Sequence, residues 1–278
     1  MQSPSRFRLP GKPSAIIVVL VCWFSAWPTV ARAQGSPGQD AVYKSNGIVG
    51  SWSFIDASVF AGNVDNPNLC SVLNFVLAQV VQPTFPNGAV VDARGLPNSI
   101  PPTSMTCTIS PWGSGSNYLN VPSTILLPAT GGTTPNPIII PNSSPWILPS
   151  NTHLIGEGDG TSGGSTSGTT IQAASGFSGT MIQFGSSSPV CPSSGCSGIS
   201  VENLTLDGQG PLGQTVNGIA NAYSQDGSYV DHVSLYQILG TRLAVSGTAS
   251  NSGPYSNLTF DTGGDSRTSS TICASINA

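Results

Sequence analysis

The chain has 278 residues, of which only 7% are charged: eight Lys and Arg against twelve Asp and Glu, for a formal net charge of −4. Binding a phosphate backbone takes clustered Lys and Arg, and the few bases here are scattered, so nucleic acid is excluded as a partner. Gly, Pro, Ser and Thr are abundant, yet 38% of the residues are hydrophobic and much of that content falls in alternating strands, which excludes a wholly disordered chain and supplies one sizeable core.

At the N-terminus, Arg6, Arg8 and Lys12 precede an apolar run over 15–27, and Ala31-Arg32-Ala33 follows. A basic start, an apolar middle and a small-residue cleavage site describe a secretory signal peptide over 1–33. The run is too short for a membrane span, which takes about 18 apolar residues. The expected location is extracellular or periplasmic. Cleavage after Ala33 removes four of the eight bases (Arg6, Arg8, Lys12 and Arg32) and none of the acids, leaving −8.

Residues 34–64 read as an extended lead-in with little periodicity. Asn66-Pro67-Asn68 then offers an N-cap, and Leu69, Val72, Leu73, Val76, Leu77 and Val80 recur at helical spacing. This predicts an amphipathic helix ending before Gln82-Pro83. A strand over 89–93 is expected to be the first one beneath it, and another is expected over 123–128. The segments 97–121 and 129–145 read as loops. So does the Gly/Ser/Thr-rich stretch 159–169, as a flexible excursion.

From Trp146 the chain repeats. His153-Leu154-Ile155-Gly156-Glu157, Met181-Ile182-Gln183-Phe184-Gly185 and Asn203-Leu204-Thr205-Leu206-Asp207 share one rhythm, as do His232-Val233-Ser234-Leu235-Tyr236 and Asn257-Leu258-Thr259-Phe260-Asp261. The anchors Leu154, Ile182, Leu204, Val233 and Leu258 lie 28, 22, 29 and 25 residues apart. Such periods mean stacked units that cover one another's apolar faces, and the period-2 alternation makes the stacked element a strand. Further strands are expected at Thr170-Ile171, 216–219 and 243–245. The expected fold is all-β: a right-handed parallel β-helix with an N-terminal capping helix. The lead-in, cap and first coil occupy 34–121 and the β-helix 122–278. Thr271-Ile272-Cys273 reads as a further strand with no cap after it, which predicts either a truncated β-helix or an oligomer at that open end.

Residues Val90-Val91-Asp92-Ala93-Arg94-Gly95-Leu96 and the segment 146–158 resemble the pectate-lyase superfamily, secreted β-helix proteins that act on polysaccharides. The resemblance covers roughly residues 65–261. It implies a capping helix over the first coil, a polysaccharide partner and, for its lyases, calcium-assisted proton abstraction. The Asp pair, Gly-His-Gly and Arg-x-Lys of polygalacturonases are absent, so their hydrolase chemistry does not carry over.

Five cysteines follow the leader. Cys191 and Cys196 close a short loop, and Cys70–Cys107 would tie the helix to the first coil, both permitted in an oxidising compartment. Cys273 is left over.

Two positions before each anchor stand Thr152, Thr180, Glu202, Asp231 and Ser256. Glu202 and Asp231 are therefore expected as stacked neighbours ~4.8 Å apart, sharing a proton or a cation such as Ca²⁺. His232 or Arg242 would lie close by. The bland alternative is that both carboxylates splay into water. Three positions after the anchors stand Glu157, Gly185, Asp207, Tyr236 and Asp261. Asp207 and Asp261 would be ~9.6 Å apart by the same spacing, near the wide limit for an inverting glycosidase pair, with Tyr236 between them. The alternative reads them as turn carboxylates. Asn203, His232 and Asn257, with His153 in the same row, are expected to form a hydrogen-bonded ladder inside a bend. The sequons at Asn203 and Asn257 would then be buried, leaving Asn142 as the third.

Two function classes remain open. One is a secreted carbohydrate-active protein that binds, with or without cleaving, an uncharged or weakly charged polysaccharide; as an enzyme it would be of lyase or glycoside-hydrolase type. The other is a non-catalytic surface or adhesion β-helix, or a fragment of one.

Overall fold

The computed structural model describes residues 42–44, 53–131, 136–142, 145–159, 168–187, 190–192, 194–246, 252–261 and 272–277. The expected signal peptide over 1–33 and most of the Gly/Ser/Thr-rich excursion lie outside the described residues. Among the described residues no helix is long and apolar enough to cross a membrane.

The strands, in chain order, begin with β1 (Val42–Lys44), β2 (Ser53–Asp56), β3 (Ala89–Asp92), β4 (Ser123–Leu126) and β5 (Ile138–Ile140). Next come β6 (Trp146–Leu148), β7 (Thr152–Ile155), β8 (Thr170–Ala173), β9 (Gly179–Phe184) and β10 (Ser200–Asp207). The last are β11 (Val216–Asn221), β12 (Tyr229–Tyr236), β13 (Thr241–Ser246), β14 (Tyr255–Asp261) and β15 (Ile272–Asn277). Apart from the antiparallel pair β1–β2, every strand pairing is parallel among the described residues.

Two sheets result. The first runs β1-β2-β3-β4-β7-β10-β12-β14, with β5 and β8 joined beside β10. The second runs β6-β9-β11-β13-β15. From β9 onward the chain visits the sheets alternately, and each return pairs in parallel with an earlier strand of that sheet. The inward residues are apolar: Val91, Ile125, Leu154, Val201 and Val230 are all fully buried in the first sheet. Ile182, Phe184 and Ile219 are equally buried in the second. Alternation of this kind puts one side chain in two into the core and leaves the other for the surface.

The predicted five-anchor register holds for three. Leu204, Val233 and Leu258 are directly paired. Leu154 instead pairs with Val201, and Ile182 belongs to the second sheet, opposite Ile219. The reason is a corner. β10, β12 and β14 each contain a residue of positive φ at the same level: Asn203 at 53°, His232 at 51° and Asn257 at 52°. Asn and His tolerate this left-handed geometry better than most side chains. Before the corner β10 pairs with β7, and after it with β8. One layer earlier the corresponding corner opens into the segment between β7 and β8. Gly156 N–H and Gly158 N–H there donate to the carbonyls of Glu202 and Asn203 at 2.9 Å. A Cβ on Gly156 would collide with the Asn203 carbonyl oxygen and approach Thr169 Cβ and Leu204 Cβ to 2.8 and 2.9 Å. The position admits only glycine.

The helix begins where expected and ends later. Asn68 caps it, its side chain accepting from Ser71 N–H while Ser71 Oγ accepts from Asn68 N–H, both at 3.0 Å. α1 (Leu69–Val76) continues through a π-helical turn, Leu77–Val81, into a last α turn, Gln82–Thr84. The Gln82 N–H donates five residues back to Leu77. That wider turn accommodates Pro83, which has no N–H to give. The helix packs on a 3₁₀ segment, Ala57–Asn63, with Phe60 and Phe75 rings 6.2 Å apart.

Two further expectations are corrected. The first parallel strand is β2, not the strand at 89: it pairs with β3, and its Ile55 is fully buried between the exposed Phe54 and the half-buried Asp56. The loop over 129–145 contains β5, whose Ile138 and Ile140 are buried between flanking prolines. Both expected disulfides are present, Cys70–Cys107 and Cys191–Cys196. Cys273 is free and exposed.

Candidate functional site

On either side of the inward row, two ladders of side chains cross the strands of the first sheet, half-buried except for Ser200, which is fully covered. One is Val90, Thr124, His153, Ser200 and Tyr229; the other is Asp92, Leu126, Ile155, Glu202, Asp231 and Ser256. Each follows from period-2 alternation beside the inward row described above. Glu202 and Asp231 are directly paired, as their places in the repeat predict.

Glu202 Oε1 accepts from Ser200 Oγ at 2.6 Å and from the Tyr229 hydroxyl at 2.7 Å. His153 Nδ1 lies 2.7 Å from Ser200 Oγ. The single proton of that hydroxyl goes to Glu202, so Nδ1–H is the donor to Ser200. Burial, reinforced by the bond to Glu202, pushes the Tyr229 phenol above its ordinary range. It stays a donor.

Asp231 Oδ1 accepts from Ser256 Oγ at 2.8 Å and Asn257 Nδ2 at 2.9 Å, and Oδ2 lies 2.9 Å from His232 Nδ1. These contacts, Ser256 first, lower its pKa to about 2. Hydrogen bonds to the charged form hold a carboxylate ionised. The two carboxyl groups thus have separate donor sets and lie on a half-buried face of the sheet. At the far end of the same ladder, Arg94 grips Asp92 through Nε at 2.8 Å and Nη2 at 2.7 Å, and lies 3.7 Å from Glu157. That bond holds the Asp92 carboxyl below its usual value.

The expectations around this pair fare unevenly. His232 does touch Asp231, and Asn257 Nδ2 lies 3.5 Å from His232 Nδ1, but this contact is at the surface rather than inside a bend. Asn203, His232 and Asn257 occupy the corner because their backbone turns there, and His232 and Asn257 are exposed. His153 is not of their row; it pairs with Ser200. The Asn257 sequon is correspondingly exposed rather than buried. Arg242 does not approach Glu202 or Asp231. It lies on β13 of the second sheet, only 3% exposed, with Nη1 donating to Cys273 Sγ at 3.1 Å.

Asp207, Tyr236 and Asp261 do stand in one row, preceded by Gln172. Asp207 is buried and engaged: Oδ2 accepts from Gln172 and Gln209 side-chain amides, and Oδ1 from the Gln209 backbone, each at 2.9 Å. Burial and the two flanking carboxylates raise the Tyr236 pKa. A phenol between the acids, and an Asp already bonded into its own turn, match the turn reading rather than an open acid–base pair.

Repeat spacing placed Ser256 in the row of Glu202 and Asp231 but missed Ser200 and Tyr229. The signal available was alternation: Ser200 and Tyr229 stand two residues before Glu202 and Asp231, on the same side of their strands. For a resident Ca²⁺ the donor set does not fit. That ion takes six to eight oxygens, whereas these carboxylates already serve five protein donors. Among the described residues no group of three or more His, Cys, Asp or Glu gathers to hold a metal.

Compared with known proteins, the chain matches no family model, no curated protein and no solved structure.

Proposed function

We propose that the alternating parallel sheets form a right-handed parallel β-helix of the pectate-lyase-like kind, capped at its N-terminal end by α1, in a secreted protein that binds polysaccharide along its lateral face. The observation that carries this reading is the pair of outward ladders ending at Ser200, Tyr229, Glu202, Asp231 and Ser256. Strands ~4.8 Å apart repeat the same outward positions along one line, which suits an extended polymer. The face offers the Tyr229 phenol, the Ser256 hydroxyl and the carboxyl groups of Glu202 and Asp231, while Arg94 beside it is already held by Asp92. An uncharged or weakly charged, hydroxyl-rich chain complements that inventory; a uronate polymer would need Arg or Lys for its carboxylates.

Binding without cleavage is favoured over lyase or hydrolase chemistry by one further observation. The Asp231 carboxylate is held ionised by three side-chain neighbours, so it is a poor proton acceptor near neutral pH. Arg242, the cation such a reaction would use, is on the other sheet. The test is a panel of neutral and acidic polysaccharides, scored for binding and for new reducing ends or unsaturated products. Retention on a neutral polymer, without product and lost in Tyr229→Ala, is the expected result. Product release would restore the enzyme reading, and no retention on any polymer would remove the carbohydrate reading.

A further inference from the structure

Arg242 is buried, 3% exposed, on a strand whose neighbours are Leu243 and Val245. Among the described residues no Asp or Glu is within ion-pair distance of it. Its Nη1 donates to Cys273 Sγ at 3.1 Å, while Nε and Nη2 are buried with no hydrogen-bond partner. Sulfur is a weak acceptor, and each buried N–H without a partner is an energetic cost. Cys273, by contrast, is exposed, on the last strand of the second sheet. A solvent-accessible sulfur thus sits against a buried cation that has donors to spare.

We propose that Cys273 is a peroxide-reactive modification site whose oxidised form is held by Arg242. The sulfur attacks one oxygen of a hydroperoxide such as hydrogen peroxide. An S–O bond forms as the O–O bond breaks, and the departing hydroxide takes up the thiol proton and leaves as water. Sulfur is oxidised to the sulfenic acid and the peroxide is reduced. The Nη1–H donor beside the sulfur meets the charge that develops as the O–O bond breaks. The new oxygen supplies the acceptor that the partnerless N–H groups of the planar guanidinium lack in the reduced protein. Cys70, Cys107, Cys191 and Cys196 are already in disulfides and take no part.

The experiment treats the full chain with hydrogen peroxide in the presence of a cyclic 1,3-dione, which traps sulfenic acids, and follows the Cys273 peptide by mass spectrometry. Native protein is expected to label at Cys273 about tenfold faster than the same chain unfolded in urea, and Arg242→Met is expected to lose that advantage. Arg242→Lys, which keeps the charge without the fork, should retain part of it. Labelling of the native chain no faster than the unfolded one overturns the proposal, and so does a folded Arg242→Met variant that reacts like wild type. If Arg242→Met does not fold, the native-against-unfolded comparison on the wild-type chain decides alone.

Discussion

Glu202 and Asp231 are directly paired residues of β10 and β12, yet the two carboxylates share no donor among the described contacts. Glu202 takes the hydroxyls of Ser200 and Tyr229, on its own strand and the next one. Asp231 takes Ser256 and Asn257 from the strand beyond, and His232 beside it. Like charges one strand spacing apart would repel, and this division lets each be neutralised by separate dipoles.

The division sets the pH behaviour of Asp231. Its folded pKa is lowered to about 2, below the value near 3.9 of an unfolded Asp. A depressed folded pKa gives a stabilising contribution that is present above the unfolded value and lost as pH falls through about 2. A carboxyl-carbon NMR titration is expected to place the Asp231 midpoint near 2. Ser256→Ala and Asn257→Ala should each move it upward, Ser256→Ala the more. A wild-type midpoint near 4 would mean that these bonds are not formed in solution.

Calcium offers a second check. Because the pair lacks the oxygens that this ion requires, added Ca²⁺ is expected to leave the melting temperature of the wild-type protein unchanged. Glu202→Gln and Asp231→Asn should respond identically. A Ca²⁺-dependent rise that either substitution abolishes would reinstate a cation bridge between the carboxylates.

The sequence made the pairing of Glu202 with Asp231 legible because β10, β12 and β14 carry the same corner, Asn203, His232 and Asn257, at one level. It did not separate the sheets. Ile182 has the same polar–apolar rhythm as Leu204, but rhythm reports only that a strand has one buried side, not which sheet it joins. Leu154 was misplaced because it stands before the corner, at the level of Val201, whereas Leu204, Val233 and Leu258 each stand just after it. Arg242 was expected near Glu202 and Asp231, and no local pattern around it announces that its strand joins the other sheet. In β2 the outward position beside Ile55 is held by the apolar Phe54, which masks the polar–apolar alternation.

Gly156 tests the corner directly. Its Cβ would meet the Asn203 carbonyl oxygen, Thr169 Cβ and Leu204 Cβ, two of them backbone or branch-point atoms that cannot swing aside. Gly156→Ala is expected to destabilise the protein by about 1–3 kcal/mol, the usual cost of overpacking, seen as a lower urea midpoint at constant slope. A midpoint within error of wild type would show that the β7–β8 connection yields readily, and that this close approach does not fix the register of β10.

The two disulfides should differ in what they contribute. Cys70–Cys107 joins α1 to the segment after β3 across 37 residues, whereas Cys191–Cys196 spans five. If the main effect is the chain entropy removed from the unfolded state, the longer loop stabilises by about 4 kcal/mol and the shorter by about 2 kcal/mol. The short bridge has a local role as well: it packs on Gly185, where a Cβ would collide with Cys191 Sγ, so it fixes the exit from β9. The double variant Cys70→Ser, Cys107→Ser is therefore expected to lose more stability in urea than Cys191→Ser, Cys196→Ser. The second variant should instead show faster amide hydrogen exchange confined to the residues around Gly185. The reverse ranking in urea would mean that packing around the short bridge, rather than loop entropy, dominates, and that the tie between α1 and the sheets is secured without the Cys70–Cys107 bond.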